Sequence, residues 1–146
     1  MTVAELTLAS SSPRRRQLLE MLGIPVRVVP PNIPEVRREF ETPVDYVERL
    51  AREKALSVPG ELVLGADTTV VVGDVMLGKP DDAADARRML ELLSGRQHDV
   101  ITGICLRRGP EIRLDHAVTT VWFATLSAGE IENYVASGEP MDNAGA

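Results

Sequence analysis

The hydrophobic positions of the chain follow two spacings, one typical of strands and one typical of helices. Continuous or alternating apolar runs predict strands at 6–9, 26–29, 62–72, 75–77, 100–106 and 112–123. Apolar residues three and four positions apart predict helices at 13–22, from Pro43 onward, around 86–93 and from Ser127 onward. No stretch reads as an interdomain linker or a repeat, so residues 1–146 are expected to form a single domain.

Capping residues mark the predicted helix ends. Ser12 and Thr42 each precede a proline, which suits the first position of a helix. Ser127 and Glu130 have the spacing of a capping box, and Gly23 marks the end of the first helix. The buried stripe of that helix is predicted to consist of Leu18, Leu19 and Leu22.

Composition narrows the class of protein. A formal charge of −6 and an aromatic fraction of 3% disfavour a nucleic-acid-binding surface. The single Cys105 lies in an apolar run, which predicts a buried thiol and a reducing compartment. The N-terminal residues 1–8 show no charged leader, and no run reaches the length of a membrane span, so a cytoplasmic protein is expected.

Three consecutive arginines stand at the start of the first predicted helix, in the segment SSSPRRR at residues 10–16. Cations at this end of a helix oppose its macrodipole, so local stability does not explain them. A bound anion would make this arrangement favourable, because arginine side chains and the free amides at a helix start both bind phosphate oxygens. The alternative is a solvated basic face with ordinary capping.

Asp67 interrupts an apolar run, within the segment LGADTTVVV at residues 64–72. A carboxylate among apolar residues is costly unless it is paired, hydrogen-bonded or bound to metal. Asp67 could activate a water as a general base or hold a magnesium ion. The alternative is a turn-forming aspartate that accepts bonds from neighbouring backbone amides.

Two lysines and one acid are weaker candidates for a functional site. Each is weak evidence alone, and they support a site only if they lie together in the fold. Lys54 falls on the apolar face of the second helix, Lys79 lies between a glycine and a proline, and Glu35 lies in the polar loop 32–41. The alternatives are solvated lysine stems and an ion pair of Glu35 with Arg37 or Arg38. The histidines lack zinc spacing, and no P-loop or serine-nucleophile motif is present.

Six segments and one loop acid follow one another along the chain. They are LTLASSSPRRRQLLEMLGI, the loop acid Glu35, RLAREKA, LGADTTVVV, GKP, LSGRQHDVITG and YVASGEPMDNAGA. Together they resemble the Maf family of nucleoside triphosphate pyrophosphatases, from Leu6 to Ala146. The resemblance implies a Maf-like (inosine triphosphatase-like) elongated α/β fold, with a mixed twisted sheet, flanking helices and a cleft between two lobes. It also implies cleavage between the α and β phosphates with a divalent metal cation, Mg or Mn.

The resemblance also implies roles for individual residues. Asp67 becomes the proton acceptor that activates water, and Glu35 assists it at the metal. Phosphate contacts fall to Ser10, Arg15, Lys54 and Lys79. Arg14 and Thr68 resemble the specificity residues of the branch that acts on dTTP and UTP, so these are the expected substrates.

The chain departs from the family in two places. It lacks roughly the last quarter of the usual family length, including a segment with a specificity glutamine, and it carries Asn143 where a lysine is usual. Losing late strands would expose a sheet edge, which predicts a homodimer or strand exchange as compensation.

The leading hypothesis is metal-dependent hydrolysis of a nucleoside triphosphate, dTTP or UTP, to the monophosphate and pyrophosphate. The alternative is a nucleotide-binding or regulatory protein that has lost turnover with its C-terminal segment. Nucleic-acid binding through the arginine cluster is disfavoured by the net charge.

Overall fold

The computed structural model describes residues 5–146, which form a mixed α/β fold. The strands are β1 (Leu6–Ala9), β2 (Val26–Val28), β3 (Leu62–Val72), β4 (Val75–Leu77), β5 (Gln97–Arg108) and β6 (Glu111–Trp122). The helices are α1 (Pro13–Met21), α2 (Pro43–Ser57), α3 (Ala83–Leu93) and α4 (Ala128–Ala136), followed by a 3₁₀ turn at Glu139–Asp142. The predicted order of strands and helices is confirmed.

The six strands belong to one mixed sheet with the order β2-β1-β3-β5-β6, and β4 pairs with β3 outside this path. Strand β1 runs parallel to both β2 and β3, with Ala9 opposite Gly65. Strand β4 returns antiparallel to β3, as the turn signal between them predicted. Because β3 continues through residues 65–69, Asp67 lies within a regular strand.

Helix α2 lies directly against the sheet because two strand residues lack a side chain. A Cβ atom at Gly65 would lie 2.2 Å from Ala51 O, and one at Gly103 would lie 2.6 Å from Val47 O. Both distances are far below van der Waals contact, so only glycine permits this approach. The buried residues of α2 are Val47, Leu50, Ala51, Lys54 and Ala55. This approach holds Lys54 against the sheet.

The described chain divides into two compact units. The first contains the described residues up to Asp67 together with Thr102–Ala117, and its core includes Ala9, Ala51, Ala55, Val58, Val63 and Cys105. The second contains Thr68–Ile101 and Val118–Ala146, with cores around Val70, Val72, Leu77, Met89 and Leu93 and around Ala86, Leu90, Ile131 and Val135. The predicted burial of the Cys105 thiol is confirmed.

Helix α1 is not buried, so the predicted stripe of leucines is wrong. Its ends are as expected, with Ser12 as the cap and Gly23 following at a φ of +76°. However, Leu18 and Leu22 are 54% and 74% exposed, Leu19 is half-buried, and no residue of this fully described helix is buried. Helix α1 packs against β2, the end strand of the sheet, and the described residues provide no second layer over its apolar side chains.

Strand β5 begins and ends beyond its predicted bounds, because the added residues are polar and give no hydrophobic signal. The predicted capping box of α4 is confirmed, since Ser127 and Glu130 bond reciprocally. No helix in the described part of the chain is long and apolar enough to cross a membrane. Residues 1–4, part of the segment expected to lack a leader, lie outside the described residues.

Candidate active site

Asp67 and Lys54 form a buried ion pair in the first unit. Lys54 Nζ lies 2.8 Å from Asp67 Oδ1, and the side chains of Lys54 and Asp67 are only 10% and 11% exposed. Burial costs both charges their hydration, so such a pair is weak evidence for a stabilising role and stronger evidence for a functional one. The carboxylate therefore pairs with a lysine across the fold and is not a simple turn-forming aspartate.

Glu35 joins this pair from the loop before α2. Its Oε1 lies 2.7 Å from Lys54 Nζ, although its side chain is 53% exposed. Arg37 and Arg38, the neighbours that the sequence offered as partners, bond to other groups. Two carboxylates thus share one ammonium group.

Ser10 and Arg15 approach the same place from β1 and α1. Arg15 Nη1 donates to Ser10 Oγ at 3.1 Å and to Ala66 O at 3.4 Å. Ser10 is almost fully buried and accepts a further bond from Ser12 N at 3.1 Å. Because Lys54 Nζ also lies 3.4 Å from Ala66 O, two cations converge on the carbonyl that precedes the buried acid.

Burial shifts the protonation of the groups in this cluster. It raises the pKa of Asp67, and the Lys54 ammonium opposes that shift. It lowers the pKa of the Arg15 guanidinium, against the attraction of the nearby carboxylates. It also raises the pKa of Tyr46, and the negative charges of Asp67 and Glu35 act in the same direction. A carboxylate with a raised pKa accepts a proton more readily than an ordinary one.

Arg14, Thr68 and Lys79 complete the predicted set. Arg14 is exposed on α1 beside Arg15. Thr68 and Lys79 belong to the second unit, where Thr68 is half-buried in β3 and Lys79 is exposed between β4 and α3. The first unit itself brings together Ser10, Arg15, Glu35, Lys54 and Asp67.

The two acids suit a magnesium or manganese ion. Within residues 5–146, no group of three or more His, Cys, Asp or Glu side chains is arranged to hold a metal. Magnesium, however, needs only one or two carboxylates, because water and substrate phosphates complete its coordination. Glu35 and Asp67 already face one cation, the Lys54 ammonium, and provide this donor set.

Tyr46 and Arg49 lie near the site, and the sequence analysis assigned no role to either, although Arg49 opens the segment RLAREKA. Arg49 lies 2.6 Å from a Glu41 oxygen and donates to Val36 O at 2.8 Å. Tyr46 OH donates to Glu35 O at 3.4 Å. The available sequence signal was the four-residue spacing of Arg49 to an acid on α2, which predicts a helical ion pair but no loop contact.

We expect Glu41→Gln to destabilise the protein at neutral pH but not in acid. Hydrogen bonds from Arg49 lower the pKa of Glu41 from 4.5 to about 2. A depressed pKa in the folded state gives stability that is present above pH 4.5 and is lost as the pH falls toward 2. Urea unfolding should show a loss of about 1–2 kcal/mol at pH 7, because glutamine keeps one oxygen that can accept from Arg49, and little difference near the acid limit.

The matched control is Glu20→Gln, which removes an exposed ion pair with Arg16. Its effect on the free energy of unfolding should stay below about 0.5 kcal/mol at neutral pH. If wild type and Glu41→Gln had parallel pH profiles of stability, the proposed strength of the Glu41 interaction would be wrong.

Sequence comparison points to a single family. A family model described as Maf-like protein matches residues 5–146. A protein named dTTP/UTP pyrophosphatase from Anaeromyxobacter dehalogenans (strain 2CP-C) is 55% identical over 145 residues, covering 97% of this chain and 75% of that protein. Proteins of the same name from Symbiobacterium thermophilum and Vibrio cholerae are 52% and 51% identical, over 97% and 100% of this chain and 75% and 81% of their own lengths.

A solved structure shows the same fold at low sequence identity. The Ham1 protein of Staphylococcus aureus superposes with a TM-score of 0.55 and 14% identity, over 81% of this chain and 71% of that one. At this identity the likeness establishes the fold alone. It agrees with the α/β fold expected from the sequence.

Proposed function

Because the chain belongs to the Maf family, we propose that it hydrolyses dTTP and UTP to the monophosphate and pyrophosphate. The observation that carries this proposal is the ammonium group of Lys54 shared by Glu35 and Asp67. A buried ion pair such as that of Lys54 and Asp67 is typical of a functional site. The name that the relatives share, dTTP/UTP pyrophosphatase, supports the reaction and the substrates.

The cations of the site bind the triphosphate. Arg15 offers a planar fork that matches phosphate oxygens, and Lys54 offers a point charge beside it. Ser10 contributes its hydroxyl, and Lys79 is proposed as a further phosphate contact because the family resemblance gives it that role. In a partly desolvated site these groups stabilise the charge that develops on the phosphate oxygens as the bond breaks.

Asp67 accepts the proton of the attacking water. Its burial supports this role, because the raised pKa makes the carboxylate a stronger base. Glu35 and Asp67 would hold a divalent cation, magnesium or manganese. When bound, that cation would neutralise phosphate charge and polarise the water.

Arg14 and Thr68 select the pyrimidine base in this proposal. Both positions flank residues of the cluster in the chain, since Arg14 precedes Arg15 and Thr68 follows Asp67. Arg14 and Thr68 are therefore neighbours in the chain of a proposed phosphate-binding residue, Arg15, and of the proposed proton acceptor, Asp67.

The cytoplasm is the proposed compartment, because a buried free thiol such as Cys105 suits reducing conditions. A homodimer is the proposed assembly. Strand β6 is an end strand of the sheet, and most of its residues are exposed. An open strand edge offers pairing groups to a second copy of the chain.

A panel of nucleotides tests the proposed function. With magnesium or manganese, pyrophosphate release should be fastest for dTTP and UTP, with kcat/KM at least about tenfold lower for dATP and dGTP. Equal turnover of all triphosphates, or a preference for purines, would contradict the proposed specificity. Tight dTTP binding without product would favour the alternative of a nucleotide-binding protein, which no observation on the described residues favours at present.

A further inference from the structure

Glu35 reaches the candidate active site from a segment without helix or strand. This segment, the Glu35 loop, comprises residues 29–42 between β2 and α2. The Glu35 carboxylate nevertheless meets Lys54 Nζ at 2.7 Å. A loop holds a side chain at a fixed place only if other contacts fix its backbone. The contacts of the Glu35 loop therefore decide whether this carboxylate is available to the site.

Arg49 of α2 donates hydrogen bonds to two separate points of the Glu35 loop. Its Nη2 donates to Val36 O, the carbonyl directly after Glu35, at 2.8 Å. Its Nε and Nη2 donate to the two carboxylate oxygens of Glu41 at 2.6 and 2.9 Å. The centroid of the Tyr46 ring lies 5.7 Å from the Arg49 guanidinium carbon, and the Tyr46 hydroxyl donates to Glu35 O. The bidentate pair fixes the plane of the guanidinium as well as its position.

This clamp is shielded from solvent and tied to the helix that carries Lys54. The side chains of Arg49 and Glu41 are 16% and 8% exposed. Arg49 Nη1 also donates to both oxygens of Glu53, at 3.1 and 3.2 Å. Glu53 directly precedes Lys54 in α2. One helix therefore holds both the loop and the ammonium group that Glu35 contacts.

We propose that Arg49 is a positioning residue that, through Val36 and Glu41, holds the Glu35 carboxylate at the site where a divalent cation and a triphosphate bind. This inference rests on the proposed function, which gives Glu35 its role at the metal. Arg49 acts through the Glu35 loop and not on the substrate itself. Lysine is a poor substitute, because one point charge cannot hold a carboxylate and a carbonyl in a single plane.

Trypsin cleavage tests the clamp without any need for turnover. The Glu35 loop contains Arg37 and Arg38, both exposed, and their cleavage requires local opening of the loop. Arg49→Lys and Glu41→Gln should each increase the rate of cleavage at these residues by about tenfold or more. Arg49→Met should increase it further, because it removes every hydrogen bond of the guanidinium.

Manganese binding tests the consequence for the site. Electron paramagnetic resonance of free manganese, measured with a non-hydrolysable dTTP analogue, should show affinity about 10- to 100-fold weaker in Arg49→Lys than in wild type. The manganese concentration that gives half-maximal turnover should rise by the same factor. The kcat at saturating manganese should return close to the wild-type value, because Arg49 makes no contribution to the chemical step.

The matched control is Ile131→Val in the core of the second unit, which lowers stability modestly and changes no residue of the loop. It should leave loop cleavage and manganese binding unchanged. The inference is overturned if Arg49→Lys and Glu41→Gln match wild type in both measurements, or if Ile131→Val shows the same defects. Absence of turnover by the wild-type chain would overturn the proposed function, whereas cleavage and manganese binding decide the role of Arg49.

Discussion

Asp67→Asn should lower kcat for dTTP by about 10²- to 10⁴-fold, which is the usual contribution of a general base. The amide keeps the size of the side chain and an oxygen that can accept from Lys54 Nζ, but it cannot take a proton from water. Because Arg15 and Lys54 remain, KM for dTTP should change less than kcat. Initial rates of pyrophosphate release at saturating manganese give both constants, and a thermal melt verifies the fold.

Asp74→Asn provides the control for this change. Asp74 is exposed in the turn after β3, so the same chemical substitution there should leave kcat within about twofold of wild type, as surface changes away from a site usually do. An Asp67→Asn protein with the wild-type kcat would remove Asp67 from the role of proton acceptor.

Gly65→Ala should destabilise the protein by about 3 kcal/mol or more, well beyond the usual cost of one extra methyl group. The new Cβ would lie 2.2 Å from Ala51 O and 2.8 Å from Ala55 N. Both are backbone atoms of α2, so the clash is relieved only if the helix moves away from β3. Because α2 carries Lys54, any folded fraction of this variant should also lose activity.

Gly129→Ala is the matched control, since it adds the same methyl group to a helix. The nearest atom to a Cβ at Gly129 is Ser127 Oγ at 3.9 Å, an ordinary contact. Alanine favours a helix over glycine by up to about 1 kcal/mol, so stability should stay the same or rise. Urea unfolding compares the two variants, and wild-type stability in Gly65→Ala would show that α2 does not lie this close to β3.

Lys54 and Asp67 could be recognised in the sequence because each breaks a hydrophobic pattern. Lys54 falls on the buried face of a predicted helix, and Asp67 falls inside an apolar strand. Each charge therefore needed a partner, which physical chemistry demands of any buried charge. The sequence did not reveal that they pair with each other, because that contact depends on how α2 packs against β3. Glycine at position 65 permits α2 to pack this closely, but a glycine at that position does not by itself indicate which element packs against it.

Local capping signals predicted the helix ends well. The burial of each helix face and the contacts of the loops could not be predicted. An apolar stripe on α1 shows that the helix has a face to cover, but not which element covers it, and Leu18 and Leu22 proved exposed. Arg49 lies among the charged residues of α2, and its partners depend on the path of a loop without hydrophobic periodicity. For the same reason, the pairing of Glu35 with Lys54 was not evident from its neighbours in the sequence.

Product analysis of dTTP hydrolysis by the 146-residue chain tests the proposed function most directly. Phosphorus NMR of a reaction with magnesium or manganese should show dTMP and pyrophosphate in equal amounts, from cleavage between the α and β phosphates. The same reaction with Asp67→Asn should show almost no product. Formation of dTDP and inorganic phosphate, or the absence of hydrolysis by the wild-type chain, would contradict the account.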